Sequence, residues 1–474
     1  MPPPTDLAAR LARHGQEHLL RFWDELDAEA RARLAAEVAS LDLVRLDALI
    51  NDLVHREEPS TATTGPVRPI EVVRLPRTDA ERAARRRAAE RGASMLAAGE
   101  VAVVIVAGGM GTRLGFEGPK GTYPIGPVSA ASLFQIHAEK VAALGRRHGR
   151  PLPLYVMTSP DNHAETVAFF DRHDRFGLER VRFFTQGRMP AVDRATGKIL
   201  LAEKCSPAQS PDGHGGTLRA LSAPSAGGGP SCLDEMRAEG VRTLFYFQVD
   251  NPLVRIADPV FLGLHRAANA DMSFKVIEKL FPEERLGVVV VEVGAPKVIE
   301  YSDLPAALAE RREPEGGLEL WAGSIAVHIL EREFVEKLLT NLSLPYHRAI
   351  KKVPYIDDQG ELVVPAEPNA VKFEQFIFDA LPMARSWSIV ETDRAKEFEP
   401  LKNATGPDSP ATVRQRMSDL YAGWLERAGA QVPRRADGTV PFGVEISPLF
   451  ALDPDELRSK IKPGVEINAP VYLR

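Results

Sequence analysis

The run VAVVIVA at 101–107 passes without a break into GGMGTRLGFEGPKG at 108–121. Apolar side chains on every consecutive position do not suit a strand with one wet face. They suit a strand buried on both faces, as in a parallel sheet covered by helices. Glycines directly after such a strand let the backbone approach a ligand closely, and successive N–H groups form an anion-binding concavity. Similar short runs follow: LYVMT (154–158), VRFF (181–184), LFYFQV (244–249) and GVVVVEV (287–293). Between them lie helical patterns such as SLFQIHAEKVAAL, where Leu133, Ile136, Lys140, Val141 and Leu144 recur at spacings of three and four. Strand, helix, strand in this order predicts an α/β fold with a central doubly wound, mixed but mostly parallel sheet.

Around this centre the pattern changes. Residues 5–55 read as helical, with Leu34, Val38 and Leu41 at helical spacing. EEPSTATTGPVRP (57–69) reads as a connector, SAPSAGGGPS (222–231) as a surface loop and REPEGG as a turn. TDAE predicts a capping box with Thr78 as N-cap and Glu81 three residues on. The Arg85–Arg87 triplet that follows is expected on a solvated helix face. After Pro400 the chain is helical, then extended. The expected organisation is a helical N-terminal region at 1–95, an α/β domain at 96–395 and a small C-terminal domain at 396–474.

The 474-residue chain is 44% hydrophobic and 26% charged, which excludes wholesale disorder. No apolar run approaches the about 18 residues that would cross a bilayer, and the N-terminus lacks a secretory pattern. With only Cys205 and Cys232, neither a disulfide framework nor a cysteine-rich zinc site is expected, and a reducing, cytoplasmic setting is the simplest reading. Net charge is −6, without a basic face or tail, so no nucleic-acid or membrane partner is expected. A polyphosphate would have to be drawn in by a few cations focused in a cleft.

Spacing excludes two familiar phosphate loops. Gly109, Gly111 and Gly115 make G-x-G-x-x-x-G, one residue too long for the dinucleotide fingerprint. Lys120 lies between Pro119 and Gly121, not in the G-K-[ST] of an NTPase loop. A glycine-rich connector without a ligand stays open on spacing alone. Arg113 and Lys120, just downstream, supply the fork of donors and the point charge that a polyphosphate requires. Asp250, closing LFYFQVD, is either a turn residue before Pro252 or a carboxylate for a divalent ion.

AGGMGTRLGFEGPKGTYPIG resembles the signature of the eukaryotic-type UDP-sugar pyrophosphorylases, with closest likeness to the N-acetylglucosamine branch. The likeness continues in order through HLLRFWDEL, MTSPDNHAETVAFF, FFTQGRMPAV, SPDGHGGTLRAL, VDNPL, ERLGVVV, VIEYSDL, KFEQFIFD, EFEPLKNA and VEISPL. The resemblance implies a Rossmann-like nucleotidyltransferase that joins UTP to a sugar 1-phosphate, giving a UDP-sugar and pyrophosphate. It implies that Gly108, Gly109 and Gly111 hold the nucleotide, that Arg113, Lys120 and Lys402 are catalytic, and that Asp250 binds Mg2+, with Mn2+ as the alternative ion. Gln186 matches the reader of the uracil edge, and Gly213 and His214 fall in a second nucleotide-binding turn. Gly287, Glu300, Tyr301, Ser324, Phe376 and Phe378 match sugar-pocket positions, although FIF alone would read as core.

Two positions depart from the acetylglucosamine branch. His214 stands where an Asn is usual, and a His there is shared with the UDP-glucose branch. Ser324 replaces an Asn that contacts the sugar, offering one hydroxyl in place of a carbonyl and an NH2. Glucose 1-phosphate, or a broad range of sugars, is therefore the alternative substrate. A nucleotide-sugar sensor without activity and a nicotinamide or flavin oxidoreductase are the other classes. The resemblance also suggests that the C-terminal domain closes to bring Lys402 inward. Lys372 reads as a structural ion-pair partner and His328 as a core histidine.

Overall fold

Ten strands form one mixed sheet: β1 (Val67–Pro69), β2 (Val101–Val106), β3 (Leu154–Thr158), β4 (Val181–Thr185), β5 (Thr243–Gln248), β6 (Met272–Glu278), β7 (Val288–Glu292), β8 (Ala295–Ile299), β9 (Ala322–Glu331) and β10 (Trp387–Glu391). These are features of a computed structural model, which describes residues 2–55, 65–225, 227–341 and 344–474. The expected connector at 57–69 and the loop at 222–231 lie partly outside the described residues. By contacts the chain forms two units. One comprises Met1–Thr61, Gln186–Ala220 and Ser343–Asp379; the other Ala62–Thr185, Leu221–Leu342 and Ala380–Arg474.

The larger unit holds the sheet. β2 lies between β5 and β3, with β4 beyond, and every one of these pairings is parallel. β9 runs antiparallel to β5, β6 and β7, while β10 joins β6 in parallel. β7 is as apolar as β2, yet it pairs antiparallel with β1 and β8 as well. Its valines report burial, not strand direction. Val101, Val103 and Ile105 of β2 enter one core with Phe245, Phe247, Leu154 and Val156.

The helix Asp79–Ala98 begins with the expected capping box, in which Thr78 accepts from the Glu81 amide and Glu81 accepts from the Thr78 amide. Gly92 lets this helix close onto Pro259–Ala267, because a Cβ there would stand 2.0 Å from the Pro259 carbonyl oxygen. Arg86 and Arg87 are exposed as expected. Arg85 instead turns inward and donates to the carbonyls of Arg74 (3.0 Å) and Glu391 (3.3 Å), which the charge pattern did not indicate.

The smaller unit packs Leu34 and Val38 of one N-terminal helix with Val192, Val371 and Phe373. Its helices Ala28–Ser40 and Leu43–Leu53 are each N-capped by an aspartate, Asp27 and Asp42. Its three-stranded sheet runs Tyr346–Lys351, Ala370–Gln375, Val192–Asp193. Lys372, on the middle strand, has no ion pair among the described residues.

A buried ionic trio holds the end of the larger unit's sheet. Lys275 of β6, 1% exposed, reaches Asp258 at 2.8 Å and Glu397 at 2.5 Å. Thr392 Oγ1 donates to the other Glu397 oxygen, and the Val260 amide to Asp258. Burial works against ionisation of Asp258, but Arg255 and Lys275 hold its carboxyl well below the usual range. Removing the cation leaves two buried carboxylates with only the more distant Arg255, 3.5 Å from Asp258 and 4.0 Å from Glu397, for charge compensation among the described residues. Lys275→Ala should therefore cost about 3–5 kcal/mol in urea unfolding, and a loss below about 1 kcal/mol would contradict this reading.

Candidate active site

β2 and β5 are parallel and paired through Val106↔Gln248, so the chain leaves both strands at the same edge. The Val249 amide, next to Asp250, still donates to Val106 O at 3.0 Å, two residues before Gly108. Ligands in open α/β sheets bind beyond such carboxyl ends. The turn after β2 folds back on itself: the Gly111 amide donates to Gly118 O (2.9 Å) and the Lys120 amide to Gly109 O (3.0 Å). Asn162, fully buried, fixes the start of the turn by donating to Ala107 O at 2.9 Å. Arg113 sits on the one-turn helix Thr112–Leu114, exposed and without an ion pair among the described residues.

Lys120 is brought to the same edge. Its ammonium lies 3.7 Å from Asp250 Oδ2 and 3.5 Å from Leu401 O. The Leu401 amide donates to the Asp250 carbonyl at 2.8 Å, so the segment carrying Lys402 is stitched directly to the end of β5. Asn251 adds a second stitch. Its amide group donates to Glu397 O (2.7 Å), and its oxygen accepts from the amides of Leu253 (3.2 Å) and Glu399 (3.3 Å). Beneath, His137 Nε2 donates to Val249 O (3.0 Å) and Lys140 to Pro252 O (2.5 Å) and Val254 O (2.9 Å). Asp408 faces this group: burial raises its carboxyl, Lys402 lowers it and Asp250 raises it again. Asn162, Asn251 and Asp408 were not singled out from the sequence. Asn251 is a polar residue just past a strand end, whereas Asn162 and Asp408 lie at helix starts, where polar residues are ordinary.

A second cluster forms at the entry to β9. Because β9 is antiparallel to β5, its first residues meet the sheet at the edge where β5 ends. The Ser324 amide donates to Gly287 O at 2.8 Å, and a Cβ on Gly287 would stand 2.9 Å from Glu300 Oε1. Gly287, Glu300 and Ser324 thus come together, with Tyr301 adjacent and half exposed. His328 is buried between the rings of Tyr246 and Phe274, a core residue.

The smaller unit gathers its own set. Gly213 has a φ of +84°, and its Cβ position lies 2.4 Å from Gln375 O, so only glycine fits where the turn presses onto the strand Ala370–Gln375. The amide of Ile377 donates to His214 Nδ1 (3.2 Å), which makes that nitrogen an acceptor and the imidazole neutral. Burial, and then the neighbouring His347, push His214 down to about 4. Phe376 stacks on both rings, with centroids 5.3 Å from His214 and 4.7 Å from His347. Phe378 lies 5.6 Å from His214. Gln186 is buried beside Gly187, whose carbonyl accepts from the Asp212 amide at 3.2 Å.

Asp212 is 4% exposed and its Oδ1 has no hydrogen-bond partner among the described residues. Burial pushes its carboxyl from 3.8 up to about 6. The folded protein therefore binds this proton more tightly than the unfolded chain, and a cost present above pH 6 is relieved as pH falls toward 3.8. Asp212→Asn carries no such cost. Its stability advantage in urea unfolding should shrink by about 1–2 kcal/mol between about pH 7 and pH 5. A pH-independent difference would contradict the buried carboxyl.

Residues 63–430 match the UTP–glucose-1-phosphate uridylyltransferase family. The UDP-N-acetylhexosamine pyrophosphorylase-like protein 1 of Homo sapiens is 38% identical, over 100% of this chain and 97% of that protein. The UDP-N-acetylglucosamine pyrophosphorylase of Saccharomyces cerevisiae is 35% identical, over 90% and 92%. The crystal structure of the Trypanosoma brucei UDP-N-acetylglucosamine pyrophosphorylase, in complex with an inhibitor, superposes with a TM-score of 0.82 at 28% identity, covering 99% of this chain and 98% of that one. The chain belongs to the UTP–glucose-1-phosphate uridylyltransferase family, and so to the nucleotidyltransferase enzymes.

Proposed function

We propose that this uridylyltransferase takes N-acetylglucosamine 1-phosphate and UTP to UDP-N-acetylglucosamine and pyrophosphate. The observation that carries the reading is the meeting of Lys120, Asp250 and the Leu401–Lys402 segment at the carboxyl ends of β2 and β5. The relatives named above favour the acetylated sugar.

The sugar phosphate attacks the α-phosphorus of UTP in line, the new P–O bond forms and pyrophosphate leaves with the electron pair of the broken one. A phosphate monoester loses its second proton near pH ~6, so the nucleophile is ionised at neutral pH without a general base. What remains is to align two anions and to neutralise charge on the equatorial and leaving oxygens. The backbone N–H groups of the glycine-rich turn, Lys120, Lys402 and the exposed guanidinium of Arg113 are suited to that task.

A divalent ion fits Asp250. Mg2+ typically takes one or two carboxylates and fills its shell with phosphate oxygens and water. Among the described residues there is no cluster of three His, Cys, Asp or Glu side chains that could hold a metal. Held by Asp250, Mg2+ (or Mn2+) would supply neutralisation of phosphate charge. Gln186 is assigned to the uracil, Gly213 and His214 to the nucleotide, and Gly287, Glu300, Tyr301, Ser324, Phe376 and Phe378 to the sugar. No described helix is long and apolar enough to cross a membrane.

Pyrophosphate release, measured with UTP, Mg2+ and the 1-phosphates of acetylglucosamine, acetylgalactosamine, glucose and galactose, should be fastest with the first. Faster release with glucose 1-phosphate would move the chain to the glucose branch, and none with any sugar would indicate a sensor. Ser324→Asn should raise the preference for acetylglucosamine over glucose 1-phosphate about tenfold in kcat/KM, by meeting a polar group that serine leaves unmet. An unchanged ratio would remove Ser324 from the sugar contacts. Lys120→Ala should lower kcat by about 10²–10³ and change UTP affinity far less. Unchanged turnover would refute its role.

A further inference from the structure

Apart from the candidate site, the larger unit holds a cavity of about 350 Å3, within the range used for small organic ligands. Its floor is Pro252–Ile256, the chain running on from Asp250 and Asn251; the helices Leu133–His148 and Pro410–Arg427 form opposite walls. The second wall presents Tyr421 and Trp424, whose rings meet edge to face with centroids 5.3 Å apart. Five cationic side chains line the space, and three of them are paired: Arg147 with Asp453, Arg255 with Asp258 and Lys396 with Asp393. Asp258 is already held by Lys275, and Asp453 by Arg147 at 2.6 Å. Arg427 at the rim has no ion pair among the described residues. Lys140 also lacks a carboxylate partner among them, giving its hydrogen bonds to Pro252 O and Val254 O instead.

An aromatic wall calls for a planar apolar body, and cations without carboxylate partners call for a negative charge. We propose that this cavity is an effector site for a planar aromatic anion, an aryl carboxylate or sulfonate, read at the reaction centre through Lys140. The route is short. Lys140 pins the two carbonyls that follow Asp250, and Asn251 links the same stretch to the backbone leading to Lys402. An anion that draws the ammonium into the cavity loosens both carbonyls and shifts Asp250 relative to Lys402.

The test is a fluorescence titration of the full-length protein with anilinonaphthalenesulfonate, an aromatic anion that brightens in apolar surroundings, with and without saturating UTP. One saturable site is expected in both cases. Trp424→Ala and Arg427→Glu should each weaken it about tenfold, the scale of one aromatic or charge-assisted contact. Lys120→Ala should leave it unchanged, and dye at saturation should lower turnover of the wild type. Absence of saturable binding, displacement by UTP, or affinity untouched by both cavity variants would overturn the site. Unchanged turnover at saturation would overturn the coupling. Arg427 is exposed, so its replacement tests the site without disturbing a core. Binding is read without reference to activity, so this outcome is separate from the choice of sugar.

Discussion

The hydrogen bond from the Leu401 amide to the Asp250 carbonyl joins two points 151 residues apart in the chain, and the candidate reaction centre depends on it. It is the backbone hydrogen bond nearest to Lys402 in a joint that Asn251 reinforces through Glu397 O and the Glu399 amide. With it, and with Lys120 reaching both Asp250 and Leu401 O, groups from three chain segments share one small volume. Two anionic substrates repel each other, and only positive charge fixed in advance lowers the cost of bringing them together. Backbone hydrogen bonds fix it more firmly than long side chains on a surface would.

That frame rests on polar groups buried under the sheet edge. His137, Lys140 and Asn251 take up the carbonyls of Val249, Pro252, Val254 and Glu397, which would otherwise be buried without partners. Burial, with Lys140 nearby, keeps His137 neutral by pushing it down to about 3, so its Nε2 hydrogen serves as a fixed donor. Below lies the Lys275, Asp258 and Glu397 trio, which ties β6 to the segment that ends at Lys402. Support and chemistry are therefore one continuous network from the core to the site.

Much of the larger unit was legible in the sequence because burial leaves a local mark. The run 101–106, the strand 154–158 and the capping box at Thr78 each depend on neighbours in the chain. What local marks could not carry was partnership. The valines of β7 look like those of β2, yet their partners run the opposite way. Residues 186–220 and 343–379 join the N-terminal helices in one unit, and nothing near them in sequence says so, because the contacts are long-range. The same holds at the site. Glycines, Arg113, Lys120 and Asp250 stand out by type and position, whereas Asn162 and Asn251 are ordinary polar residues whose importance lies in which carbonyl each one meets. Asp212 escaped for another reason: its turn draws attention to glycines and His214, while its own lack of a partner appears only in three dimensions.

The most direct measurement is a crystal structure of this protein with UTP and Mg2+. Expected are the triphosphate against the glycine-rich turn, the ion on Asp250, and both Lys120 and Lys402 ammonium groups turned to the phosphates, with the Leu401–Asp250 hydrogen bond kept. Phosphates bound elsewhere, with Lys120 still directed at Leu401 and Lys402 facing solvent, would contradict this arrangement.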